Sequence, residues 1–309
     1  MLLALLFAGC ATTAPTAPQG QPELVAFLQT EVAALGSGVR GATWYGPAGA
    51  TPTLAWNVDV ELPCASAIKT SWLVELFAAN ADALDQPLPG IDAVFADAQH
   101  PALVHFTPAQ RAAAQQALGT ASVRRIGEAM ITSKGVDNTT YNIAANLVAA
   151  HFGGPAALQA KLHARVPEWR AIHCRRYMLA DRIANGDNTA TARALANVFD
   201  RIVRDDVPGV RPDTLAAVRN VLGADAVQPD GVVHVHKSGA LDSEPVTRVE
   251  SGCCGSPSQP RIHVVMLVQD GVPANERSSA GEHLAACANR IVNRLKTSHL
   301  ANRRESATR

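Results

Sequence analysis

The stretch whose reading decides the fold is Leu62-Pro63-Cys64-Ala65-Ser66-Ala67-Ile68-Lys69-Thr70-Ser71-Trp72-Leu73-Val74-Glu75-Leu76. From Ile68 onward apolar residues recur at Ile68, Trp72, Leu73 and Leu76, the three-and-four spacing of a helix. Ser66 and Lys69 therefore fall one turn apart at a helix N-terminus. A serine hydroxyl is a weak nucleophile until a base takes its proton, and a lysine amine three residues along a helix can reach it. The same N-terminus offers unpaired backbone N–H groups to a developing oxyanion. Pro63, Cys64 and Ala65 lead in without charge, so the serine enters from an apolar strand end. An N-capping serine beside a solvated lysine gives the same spacing, so the rest of the chain has to decide.

The chain has 309 residues, 47% of them hydrophobic, with 27 basic and 27 acidic side chains. That is enough to bury one large core or two lobes, and nothing in the charge balance suggests a nucleic-acid surface or a disordered protein. Scarce aromatics and abundant alanine favour helices in close contact.

Residues 1–10, Met-Leu-Leu-Ala-Leu-Leu-Phe-Ala-Gly-Cys, are too short an apolar run to span a membrane. They read as an export signal with Ala8-Gly9-Cys10 as a lipoprotein-type cleavage site, although no Lys or Arg precedes the run. Ordinary secretion and a buried N-terminal helix are the alternatives. Proline-rich residues 11–20 have a tether's composition. Past Cys10 five cysteines remain, Cys64, Cys174, Cys253, Cys254 and Cys287, whose pairing the sequence leaves open; Cys64 is read as a buried small side chain. His234 and His236 share a strand face without a nearby ligand set, and neither a metal nor an organic cofactor is expected.

In order, the pattern predicts a helix over Pro22 to Leu35, then strands over Val39 to Tyr45 and Thr53 to Val60 leading into the Ser66 stretch. Helices follow over Ala67 to Leu84, Pro108 to Leu118, Val123 to Ile131, Tyr141 to Phe152, Pro155 to Val166, Thr189 to Val203 and Pro212 to Val221. Strands return over Val232 to His236, Val246 to Glu250 and Ile262 to Gln269, before a last helix over Glu276 to Leu300. The chain leaves a sheet, builds a helical lobe and comes back to finish the sheet.

This layout, with three local motifs, resembles the class A serine β-lactamase and DD-peptidase superfamily over about residues 21 to 300. Ser66 and Lys69 correspond to that family's SxxK nucleophile and lysine. His236-Lys237-Ser238-Gly239, on a strand followed by two strands and a helix, matches its KTG or KSG motif. A cation and a hydroxyl can hold a substrate carboxylate there, while glycine lets the substrate lie against the backbone. The SxN motif is less clean. Counted back from Gly153-Gly154-Pro155, Thr140-Tyr141-Asn142 falls on SxN and Asn146 on the family's helix asparagine; the literal alternative, Val136-Asp137-Asn138, loses the hydroxyl.

One departure matters. The resemblance implies a glutamate, on a loop here spanning Ile172 to Asn188, that activates the deacylating water. Its place falls on Arg175 or Arg176, and the loop holds no glutamate. Glu168, Asp181 and Asp187 are nearby carboxylates that read as surface groups. Losing a positioned base costs about 10² to 10⁴ in rate, so an acyl-enzyme would be released slowly.

The expectation is an α/β (α+β) fold of β-lactamase/transpeptidase type: a five-stranded antiparallel sheet with flanking terminal helices and an inserted all-helical lobe. Residues 1–20 form the leader and tether, 21–65 and 213–300 the sheet lobe, 66–212 the helical lobe and 301–309 a tail. The resemblance implies Ser66 as nucleophile, Lys69 as base, Thr140 as proton relay, Asn142 as binder of the substrate amide, and Lys237 with Ser238 as the carboxylate site. The backbone N–H groups of Ser66 and of Ala240, just past Gly239, would make the oxyanion hole. The expected partner is a β-lactam or peptidoglycan-type small molecule, with no nucleic acid and a membrane only through lipid on Cys10; the protein would be an exported monomer of the periplasm or envelope. A D-alanyl-D-alanine peptidase or penicillin-binding protein, and a non-enzymatic sensor or scaffold, are the alternative functions.

Overall fold

The computed structural model describes residues 16–223, 235–256 and 258–307. The export signal, Cys10 and His234 lie outside the described residues.

Six antiparallel strands form the main sheet, in the order Gln19–Gly20, Leu54–Trp56, Val39–Pro47, Arg261–Gln269, Val246–Cys254 and Val235–Leu241. Period-two alternation divides their side chains between two cores. Trp44, Val264 and Met266 face the helical lobe, whereas Tyr45, Val265 and Leu267 face the terminal helices Pro22–Ala33 and Arg277–Ala307, meeting Leu24, Leu28, Leu284 and Ile291. The sheet has one strand more than expected, because Gln19–Gly20, read as the end of the tether, pairs with Leu54 and Ala55. The last helix runs past Leu300 to Ala307, where Arg303, Arg304 and Glu305 are helix formers with no Pro or Gly among them.

The helical lobe is built around the helix Lys69–Ala79, buried at every position from Lys69 to Phe77. A helix buried all round is the centre of its bundle. It is shorter than expected at both ends: a 3-10 turn, Ala65–Ile68, precedes it, and Asn80 ends it by donating its side-chain amide to the carbonyl of Leu76. The other expected helices form with small shifts set by their caps. Asp137 accepts the Thr140 N–H at 2.6 Å, starting the helix Asn138–His151 three residues early. Thr191 accepts from Ala194 and starts Ala192–Val203 late. That frees Thr189–Ala190 for a feature that the sequence pattern did not predict, a small sheet in which it pairs with both Leu62–Pro63 and Ile172–His173. This small sheet fastens the lead-in to Ser66 onto both ends of the 172–188 loop.

Candidate active site

Ser66 lies in the 3-10 turn, half-buried, and lines a cleft between the lobes. The residue before it, Ala65, has φ +47, a left-handed conformation that costs a non-glycine residue roughly 1–2 kcal/mol. That turn ends the Leu62–Pro63 strand abruptly and presents Ser66 at the cleft. Across from it runs Val235–Leu241, the edge strand of the sheet, whose outward backbone groups have no strand partner. Gly239 is where strand and turn touch. A Cβ there would lie 2.7 Å from the Cys64 carbonyl oxygen and 2.9 Å from the Ala67 nitrogen, so only glycine allows the approach. Lys237, Ser238 and Ala240 line the cleft with Ser66.

Lys69 begins the central helix and is fully buried. Its Nζ donates to Asn142 Oδ1 at 3.1 Å and sits 3.3 Å from the centroid of the Tyr141 ring. Burial, helped by the charge of Lys237, pushes its pKa well below the usual lysine value. A neutral amine is the form able to accept a proton. Lys237 approaches the same tyrosine ring at 5.3 Å, so both lysines meet at Tyr141.

Of the triplet read as SxN, Tyr141 and Asn142 line the cleft and Thr140 does not. Three residues in from its start, the helix is regular, and neighbours two apart lie about 200° apart around the axis. Thr140 is buried away from the cleft beside the cap carboxylate of Asp137, whose pKa it holds down through its N–H and its hydroxyl. Asn138, the amide of the alternative register, lines the cleft too, and its backbone carbonyl accepts from the Asn142 amide at 2.9 Å.

The 172–188 loop is closed from within. Arg176 is buried, donates to Asp187 at 3.0 Å and to the Ala180 carbonyl at 3.1 Å, and is thus a strut of the loop. Asp187 reaches the cleft, but its second oxygen is taken by Arg182. Asn188 accepts the backbone N–H groups of Arg175 and Arg176 at 2.8 and 3.0 Å. Glu168 is paired with Arg201 at 2.7 Å and Asp181 caps a short helix, neither lining the cleft. Arg176, the position reached by counting, and Asn188 line the cleft as well, together with Met178 and Leu179, which sequence reasoning missed. Asn146 grips Met178 by both backbone groups, accepting its N–H at 2.6 Å and donating to its carbonyl at 3.1 Å, while His105 meets that carbonyl at 2.9 Å. The only sequence signal for this clamp was Asn146 itself.

Cys64, two residues from Ser66, is fully buried, which raises its thiol pKa well above the usual value. With Cys174, Cys253, Cys254 and Cys287 it is a free thiol.

The Ser66 turn, a buried lysine and a lysine-bearing edge strand thus meet between a sheet lobe and a helical lobe. No protein of curated function matches this sequence. Among solved structures, a variant of the reconstructed last common ancestor of Gram-negative class A β-lactamases superimposes with a TM-score of 0.63 at 21% identity, over 90% of this chain and 99% of that one. That likeness is one of fold. The model of the β-lactamase enzyme family matches residues 28–295, which takes in five of the six strands of the main sheet, the helical lobe and every residue of the cleft described above, and the chain belongs to that family.

Proposed function

We propose that the protein is a serine acyl-transfer enzyme that opens a β-lactam, or a related amide, on Ser66. The Lys69 amine, which burial makes easier to deprotonate than an ordinary lysine, takes the hydroxyl proton as Oγ attacks the carbonyl carbon, and the backbone N–H groups of Ser66 and Ala240 receive the oxyanion. Collapse breaks the C–N bond; the proton returns to the leaving nitrogen, leaving an ester on Ser66. Asn142 holds the substrate amide, and Lys237 with Ser238 the carboxylate. Tyr141, rather than Thr140, supplies the hydroxyl that carries the proton between the lysines. The observation that carries this reading is the Lys69 amine, fully buried three residues along from Ser66 and held against Asn142 and Tyr141, which line the cleft together with Ser66.

The second half of the reaction, hydrolysis of the ester, is slow in this reading. Of the loop residues that line the cleft, Arg176, Met178, Leu179, Asp187 and Asn188, the one carboxylate is Asp187, and both of its oxygens are engaged by arginines. The same observation favours a second reading, a penicillin-binding protein or D-alanyl-D-alanine peptidase whose β-lactam adduct persists. In either case the enzyme works in the cell envelope, exported through residues 1–10 and anchored, if at all, through Cys10.

Mixing the protein with a chromogenic cephalosporin, and following colour and intact mass together, tests this. The expected result is a mass adduct lost in Ser66→Ala, with turnover slower than adduct formation. Adduct in Ser66→Ala would refute the nucleophile; rapid steady turnover would refute slow release and call for a base that the 172–188 loop does not supply.

A further inference from the structure

The edge strand has two faces. Lys237 and Gly239 point toward Tyr141 and the Ser66 turn. By alternation His236 and Ser238 share the other face. Directly opposite Ser238 on the neighbouring strand is Glu250, and side chains so paired have Cβ atoms about 4.5–5.5 Å apart. Glu250 Oε2 lies 2.6 Å from His236 Nε2, and its side chain is 19% exposed. Because the strand is the sheet edge, His236, Ser238 and Glu250 all line the same cleft as Ser66. Asn293 and Lys296 of the last helix line the cleft as well.

This matters for the reading above, on which the inference rests. A subsite of Lys237 and Ser238 alone would suit any carboxylate. A glutamate set directly across from Ser238 is an acceptor of hydrogen bonds and repels a bare anion. His236 engages one of its oxygens and so orients the group, leaving Oε1 for a ligand. We propose that Glu250, oriented by His236, makes the Ser238 end of the cleft a subsite for a cationic or N–H-donating substituent carried beside the substrate carboxylate. Glu250 is in that case a specificity-determining residue: it selects zwitterionic substrates over simple anions, while Lys237 and the Ser238 hydroxyl keep the carboxylate.

Two cephalosporins that share core and acyl side chain test this, one with a pyridinium-methyl group on the carbon next to the carboxylate and one with a neutral acetoxymethyl group there. Adduct formation is timed by intact mass on the wild type and Glu250→Gln. Equilibrium binding is measured by calorimetry on Ser66→Ala, with and without Glu250→Gln. The wild-type cleft should favour the pyridinium compound about tenfold in both assays. Glu250→Gln should bring the ratio to within about twofold, and so should raising salt to molar strength in the wild type, which needs no variant to fold. Equal treatment of the two compounds by the wild type, or a preference that survives in Glu250→Gln, overturns the subsite. Absence of any adduct together with a Glu250-dependent binding preference would instead refute the nucleophile and leave the subsite standing.

Discussion

The Lys69 amine rests on the face of Tyr141, 3.3 Å from the ring centroid, and Lys237 comes to 5.3 Å of the same ring. One aromatic side chain is thus shared by the buried lysine and the lysine of the edge strand. Ring and hydroxyl have separable duties. The ring packs against both lysine side chains, whereas only the hydroxyl can pass a proton. Tyr141→Phe keeps the first and removes the second. Acylation of Ser66 should fall by about 10² to 10⁴ with little change in melting temperature, as read by stopped-flow mixing with a chromogenic cephalosporin. A rate within a few-fold of the wild type would return the relay to another group.

Burial of Lys69 has a consequence for stability with a definite sign. The folded pKa of Lys69 is depressed, so between that value and the unfolded one, about 10.4, the unfolded chain binds the extra proton. This group's contribution to stability therefore rises with pH across that window and is lost as pH falls. Lys69→Met removes both the amine and its titration. The variant should be more stable relative to the wild type at pH 7 than at pH 10, by urea denaturation at the two values, and should fail to acylate. A difference independent of pH would mean that Lys69 is charged in the folded protein at neutral pH.

Much of this architecture is written in local pattern. The alternation of Val264, Val265, Met266 and Leu267 assigns each to one of two opposite faces by position along the strand alone, and their partition between the two cores follows it. The Ser66 and Lys69 spacing and the order of the strands around the helices belong to the same local grammar. What failed did so for tertiary reasons or at caps. An SxN reading of Thr140 and Asn142 assumes an extended loop, where residues two apart face the same way. Asp137 caps the helix early enough to turn Thr140 to the other side, and brings Tyr141 to the lysines. Counting along the loop led to Arg175 and Arg176, yet the loop's phase is fixed by Asn146, which holds Met178 from a different helix. No local signal carries a grip between residues 32 apart in sequence.

Gly239 is a place where sequence and packing agree, and a methyl group tests it. In Gly239→Ala the new Cβ meets two backbone atoms, the Cys64 oxygen and the Ala67 nitrogen, neither of which can swing away. Overpacking of this kind costs about 1–3 kcal/mol, and the relief available is to move the edge strand away from the Ser66 turn. Differential scanning calorimetry should show a melting temperature lower by several degrees. Acylation should drop by at least tenfold more than the equilibrium binding of the same β-lactam to a Ser66→Ala background, since misplacement harms the reaction before it harms binding. Unchanged acylation would mean that the strand does not align the substrate.

The sharpest test of slow release is to supply what the loop lacks. Met178 faces the cleft with its backbone held on both sides by Asn146, so a side chain placed there is oriented by a rigid support. Met178→Glu puts a carboxylate of similar length in that position. At 6% exposure the new group is costly to ionise, roughly 1–3 kcal/mol of stability. The same burial raises its pKa toward neutrality and makes it a better base. The expected outcome is a lower melting temperature, an unchanged burst of acylation and a steady turnover at least tenfold faster, with the mass adduct disappearing on the same timescale. If the adduct persists as long as in the wild type, Met178 does not stand beside the ester, and the slow step has a cause other than a missing base.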